Sequence, residues 1–299
     1  MSLSVPESYR LCGELARKAR TNFYVSFLAM PKAKREAMCV IYAFMRRSDD
    51  IADDATSPEA ASAGLKAWRD QLTAALDSCT GVSPDAAPDK NRRDACSTDP
   101  ILPALADVVK RYGIERRYLF ELLDGTEMDQ SKTRFETFEE LYQYCYRVAS
   151  CVGLVVLPVF GFSDKAALVP AEACGIAFQL TNILRDVKED AGKGRIYLPG
   201  EDLRRFGVQE DDIMKSRYTP QFVELMRFEA GRAREYYAKA RPLLGMISPD
   251  SRGTLAVMME VYGGLLERIE AREYRVFEGR VRLSKWEKLW IVLKNWRRK

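Results

Sequence analysis

Nine stretches of the chain carry apolar residues at three- and four-residue spacing, and strand-like alternation is scarce. They cover residues 7–20, 32–54, 59–77, 101–112, 115–130, 137–160, 165–190, 219–244 and 250–274. Apolar side chains at that spacing share one face of a helix and need other helices to cover them. Pro31, Pro58, Pro100, Pro170, Pro220 and Pro249 fall near the expected starts, where a missing N–H costs little. The pattern predicts an all-α fold. With 299 residues and 47% apolar composition, the chain can bury a large core.

Two segments break the helical pattern. Residues 78–99 hold few large apolar side chains and many helix breakers, and read as a mobile loop inserted between helices. Residues 192–199, GKGRIYLP, read as a flap over the end of the preceding helix. No glycine-rich turn follows a strand, which argues against a Rossmann domain. The chain has no histidine. Serine-histidine and cysteine-histidine nucleophiles are therefore excluded, and the usual zinc ligand is missing. Seven cysteines without a CxxC pair, and no leader-like start, point to reduced thiols in a cytoplasmic protein.

Acidic residues gather on two of the expected helices. Asp49 and Asp53 stand at i and i+4; Asn182, Asp186 and Asp190 stand at i, i+4 and i+8. Each set lines one helix face, and the apolar flanks place those faces toward a cavity rather than water. Carboxylates one turn apart, about 6 Å, repel by roughly 3 kcal/mol at an effective dielectric of 20. Protonation or divalent cations would relieve that repulsion. Mg²⁺ suits such oxygen ligands and is commonly completed by substrate phosphates. Arg46, Arg47, Arg185, Lys193 and Arg195 lie beside the acids and could hold further phosphate oxygens. Asp50, Asp54 and Glu189 read as bystanders. A single acidic pair is most often a solvated helix face; two sets, each in apolar surroundings with an amide at Asn182, are not.

At these residues the sequence resembles the squalene and phytoene synthases. The long stretch Gly175-xxx-Gln179-xx-Asn182-xx-Arg185-Asp186-xxx-Asp190-xxxx-Arg195-x-Tyr197-x-Pro199 is similar to the family's signature at every named place. Tyr144-Cys-Tyr-Arg-Val-Ala149-Ser-Cys-Val-Gly153 resembles its second signature, with Ser150 and Cys151 where glycine and threonine are common. Ile41-Tyr42-Ala-Phe-Met-Arg46 precedes the first acidic pair as in the family.

The resemblance implies a single isoprenoid-synthase bundle over 1–285 around a central cavity, with a basic Trp-rich tail at 286–299. It implies two or three Mg²⁺ ions held by Asp49, Asp53, Asn182, Asp186 and Asp190. Diphosphate contacts would come from Arg46, Gln179, Arg185, Tyr42 and Tyr262, from the loop Ala19-Arg20-Thr21-Asn22, and from Arg280. Tyr144, Tyr42 and Arg46 would stand at the reaction, and Phe23 and Phe27 would line the prenyl chain. The implied reaction joins two prenyl diphosphates head to head. Mg²⁺ assists loss of diphosphate, the second chain's double bond attacks the allylic cation, and a proton leaves to give a cyclopropyl product. Phenylalanine at 27 favours two farnesyl diphosphates giving presqualene diphosphate; phytoene formation from geranylgeranyl diphosphate is the alternative. NADPH is expected only if the reaction continues to squalene.

Chain-elongating prenyltransferases and terpene cyclases use related acidic helices, but carry DDxxD or NSE patterns instead. A non-catalytic relative would be expected to lose metal ligands, and all five are present. No nucleic-acid partner is expected, and the oligomeric state stays open. From Arg280 onward the chain has eight Lys/Arg against one acid, Glu287, interleaved with Trp286, Trp290 and Trp296. This tail reads either as a last helix docked on the bundle with a solvated basic face, or as an amphipathic segment touching an anionic membrane. A location peripheral to the cytoplasmic membrane would follow from the second reading.

Overall fold

The computed structural model describes residues 3–19, 26–27, 30–78 and 99–295. Residues 79–98 of the loop expected over 78–99, and the residues Arg20, Thr21, Asn22, Phe23 and Trp296, lie outside the described residues. No strand occurs among the described residues beyond two isolated bridges. The chain forms two compact units, Met1–Gln130 and Ser131–Lys299.

The first unit holds α1 (Val5–Ala19), α2 (Lys32–Asp53), α3 (Pro58–Ser78), α4 (Leu102–Tyr112) and α5 (Arg116–Ser131). Helix α2 packs against α1, α3 and α4. Its buried face carries Ile41, Phe44, Ser48 and Ala52. Trp68 of α3 stacks on Phe44 at 5.9 Å and donates its indole N–H to the Ser48 hydroxyl at 3.0 Å. That hydroxyl in turn donates to the Phe44 carbonyl. A buried indole and hydroxyl each need a partner, so this pair fixes the rotation of α2.

The second unit is built around α8 (Leu168–Gly192). Its first half is apolar on nearly every side, as a central helix must be. Around it pack α6 (Phe138–Cys145), a π-helical turn (Tyr146–Ser150), α7 (Cys151–Phe160), α11 (Pro220–Ala240) and α13 (Pro249–Ala271). Short helices α9 (Gly200–Phe206), α10 (Glu210–Met214) and α12 (Leu243–Met246) fill the edges. The single helix expected over 219–244 ends at Ala240, because Pro242 lacks the N–H that would continue it. The stretch 138–160 is helical as expected but widens into the π turn. There Ser150 approaches Gly175 of α8 so closely that a Cβ at 175 would lie 2.4 Å from the Ser150 Cα.

GKGRIYLP is not a flap. Ile196, Tyr197 and Leu198 are buried, and the Ile196 and Gly200 amides donate to the Thr133 and Phe135 carbonyls at 3.0 and 2.8 Å. The segments Phe138–Phe160 and Lys165–Gly192 are long and apolar enough to cross a membrane, but most of each lies buried inside this unit. After α13, a 3₁₀ turn (Val276–Glu278) packs on α8, and a last helix α14 (Lys285–Asn295) docks on α13. None of the five cysteines in the described residues forms a disulfide.

Candidate active site

In the first unit, fixing Ser48 and Ala52 inward turns Asp49 and Asp53 to the exposed side of α2, one turn apart. Asp49 is reached by solvent yet crowded by protein. That crowding pushes its carboxyl up to about 6, with Asp53 adding repulsion and Arg46 partly opposing it. A carboxylate whose ionised form is disfavoured by its surroundings is one that a cation would relieve. Asp129 of α5 adds to the same negative field, and no sequence pattern pointed to it.

The basic residues divide differently from the expectation. Arg46 pairs with Asp50 at 2.5 Å, so Asp50 orients an arginine rather than standing by. Arg47 turns away to Asp99 at 2.8 Å, where the acid also accepts the Ile101 amide, and it is not at the acidic face. Tyr42 is half-buried on α2, Ala19 is exposed at the end of α1, and Phe27 is buried.

In the second unit α8 and α13 bring Gln179, Asn182, Arg185, Asp186 and Tyr262 together, and the strap after the 3₁₀ turn adds Arg280. The Asn182 amide donates to Gln179 Oε1 at 3.3 Å, while its own Oδ1 is buried without a hydrogen-bond partner. Tyr262 stacks on Phe178 at 4.4 Å and makes a hydrogen bond with Asn182. Burial pushes its phenol above the ordinary range, against the opposing charge of Arg185. Asp186 is clasped by two guanidinium groups. Arg185 Nε donates to Oδ1 at 2.8 Å, and Arg280 reaches Oδ1 and Oδ2 at 2.9 Å each. Arg280 is held in place because Lys188 donates to the Phe277 carbonyl at 2.6 Å and Phe277 packs on Phe222.

Glu189 also belongs here. Its Oε2 is buried with no hydrogen-bond partner, and its charge acts on Arg185. The missed signal was its spacing, three residues after Asp186 and seven after Asn182, at the edge of the same face. Tyr144 lies in a three-ring cluster, 5.3 Å from Phe135 and 5.2 Å from Tyr197.

Among the described residues no three Asp, Glu or Cys side chains gather closely enough to hold a metal on their own. The donors present nonetheless fit a hard cation. An orphaned amide oxygen at Asn182 and repelling carboxylates at Asp49 and Asp53 are oxygen sites short of positive charge, while Asp186 is an oxygen site whose charge two arginines already answer.

The family model described as squalene/phytoene synthase matches residues 16–287. This chain belongs to the squalene/phytoene synthase family. It is a prenyltransferase with the isoprenoid-synthase fold. A phytoene synthase of Arthrospira platensis is 35% identical over 95% of this chain and 90% of its own length. A 15-cis-phytoene synthase of Synechococcus elongatus is 35% identical over 96% of this chain and 91% of its own. Among solved structures, a dehydrosqualene synthase superposes with a TM-score of 0.82 at 32% identity, covering 97% of this chain and 96% of that one. A squalene synthase of Alicyclobacillus acidocaldarius gives 0.80 at 27% identity, covering 90% and 95%.

Proposed function

We propose that this enzyme joins two allylic prenyl diphosphates head to head and that its leading substrate is geranylgeranyl diphosphate, with phytoene as product. The relatives named phytoene synthase, alike over almost the whole chain, carry the substrate reading and weigh more than the farnesyl expectation placed on Phe27. Farnesyl diphosphate remains the second reading for two reasons: Phe27 is a large buried ring, and the dehydrosqualene synthase is alike over 97% of this chain.

Asp49 and Asp53 in one unit, and Asn182, Asp186 and Asp190 in the other, would hold Mg²⁺. When bound, the metal would neutralise diphosphate oxygens and ease cleavage of the allylic C–O bond. Arg46, Arg185, Gln179 and Arg280 would bind the remaining phosphate oxygens and orient the leaving group. The Phe135–Tyr144–Tyr197 cluster offers ring faces to a passing carbocation and keeps water from it. One diphosphate and one proton leave as the cyclopropane forms. The departing diphosphate accepts that proton, which suits a chain without histidine. A second loss of diphosphate and proton gives phytoene without any reductant; only a squalene product requires NADPH.

The test is incubation with labelled geranylgeranyl or farnesyl diphosphate and Mg²⁺, with and without NADPH. A C40 hydrocarbon formed without NADPH is expected. A C30 product, or a retained presqualene diphosphate, overturns the leading substrate. Full turnover by Asp49→Ala would sink the metal-ligand assignment. A cytoplasmic enzyme touching the membrane through its tail completes this reading, since the product is apolar.

A further inference from the structure

Nine large hydrophobic side chains stand exposed among the described residues, and four of them belong to α14. Trp286, Leu289, Trp290 and Leu293 are 77%, 46%, 68% and 56% exposed. Their positions are i, i+3, i+4 and i+7, so they form one continuous stripe along the helix. The other side of the same helix is already satisfied. Ile291 and Val292 pack on the cluster of Val257, Val261, Leu265 and Leu283 from α13 and the strap.

Two ion pairs fix the helix in this orientation. Arg268 donates to Glu287 at 3.1 Å, and Lys294 to Glu260 at 3.1 Å. The Ser284 hydroxyl and amide, followed by Arg268, hold the Glu287 carboxyl down to about 2. The one acid on α14 is therefore an anion at any ordinary pH, and its charge is answered within the protein. Lys285 and Lys288 have no ion-pair partner among the described residues; Lys285 is exposed at the border of the apolar stripe, whereas Lys288 is half-buried on the side of Val292. A groove of about 1000 Å³ opens beside the stripe, lined by Trp290 and Ile291 and by both signs of charge, Arg268 and Lys294 beside Glu260 and Glu267.

We propose that the outer stripe of α14 is a docking face for an anionic phospholipid bilayer. Trp286 and Trp290 would lie at the headgroup level, Leu289 and Leu293 would enter the acyl boundary, and Lys285 would meet a lipid phosphate. Tryptophan rings favour that interface, and a helix apolar on one side and basic on its flanks lies in its plane. Charge complementarity chooses the bilayer over a second copy of the chain: two copies apposed through this stripe would bring together two tails that each carry eight Lys/Arg against one acid from Arg280 onward. The inference extends the membrane contact placed on the tail above and does not depend on which prenyl diphosphate is the substrate.

The test is vesicle co-sedimentation of the full chain with phosphatidylglycerol or phosphatidylcholine liposomes at about 0.1 M salt. Binding to phosphatidylglycerol at least tenfold tighter than to phosphatidylcholine is expected. Each unit charge near an anionic surface contributes about fivefold, so Lys285→Glu, which changes two, should weaken binding more than tenfold. Trp286→Ser with Trp290→Ser should do the same. Unchanged melting and unchanged turnover of a detergent-dispersed substrate would show that these variants are folded. Equal binding by wild type and both variants overturns the proposal. So does a wild-type dimer in light scattering that the tryptophan variant converts to monomer with vesicle binding intact.

Discussion

The clasp on Asp186 makes a prediction with two opposite signs. Arg280 reaches both carboxylate oxygens at 2.9 Å, in a protein that would use that carboxylate for a cation. Two unit charges about 4 Å apart attract by about 4 kcal/mol at an effective dielectric of 20. The Arg280 side chain is 40% exposed and Asp186 17%, so solvent screening brings the net value to about 1 kcal/mol. Removing Arg280 releases that competition. Arg280→Ala should therefore bind a divalent cation about fivefold more tightly in the absence of substrate. Mn²⁺ reports this directly by electron paramagnetic resonance, because it accepts the same oxygen ligands. With diphosphate present the sign reverses. A lost charge-assisted bond costs about 1.5–3 kcal/mol, so KM should rise about 10- to 100-fold. Arg280→Lys keeps a point charge but loses the two-point grip, and should fall between the two. Mn²⁺ binding to Arg280→Ala no tighter than to wild type would refute the view that this arginine stands in for the cation.

Other positions yield sharper structural tests. Gly175→Ala forces a Cβ onto the Ser150 backbone; overpacking of this kind costs about 1–3 kcal/mol or more. Gly231→Ala, in open space on α11, should be neutral or stabilising by up to about 1 kcal/mol. Differential scanning fluorimetry should separate the pair by several degrees. Burial raises the Glu229 carboxyl to about 8, with Arg232 opposing and Asp202 adding to the shift. The folded protein then holds a proton that the unfolded chain releases near pH 4.5. Stability from this group is fully present below that pH and is lost as pH rises through about 8. Glu229→Gln should flatten the fall in melting temperature over that window; an unchanged slope would place the titration elsewhere. Phe27→Ala should raise kcat/KM for geranylgeranyl over farnesyl diphosphate at least tenfold, read by competition between the two labelled substrates.

Where the sequence was readable, the reason is physical and local. Long helices announce themselves because a buried stripe repeats every three or four residues, and α1 to α5, α8 and α13 begin and end within about three residues of that pattern. The short helices α9 and α10 bury only a few side chains each and leave too little periodicity to read. The π turn at Tyr146–Ser150 is not encoded in its own residues alone. It accompanies the close approach that Gly175 permits from α8, twenty-five residues away. The fate of GKGRIYLP depended likewise on carbonyls at 133–136, far off in sequence, which a local reading of glycines could not supply.

The same distinction runs through the site. Residues that are to meet one cation from one helix face must stand at i and i+4, so such a role would leave a mark within nine residues of sequence. The partners of the arginines leave no such mark. Arg46 and Arg47 are neighbours in the chain, yet one serves Asp50 on its own helix and the other Asp99 beyond the next. Only the rotation of α2, set by Trp68 gripping Ser48, decides which points where. Substrate length lies furthest from the local sequence. It depends on the volume left by several side chains from different helices, and a single ring at Phe27 can be answered by a smaller neighbour elsewhere. An acidic motif therefore specifies the bond that breaks, while the length of chain attached to that bond is a property of packing.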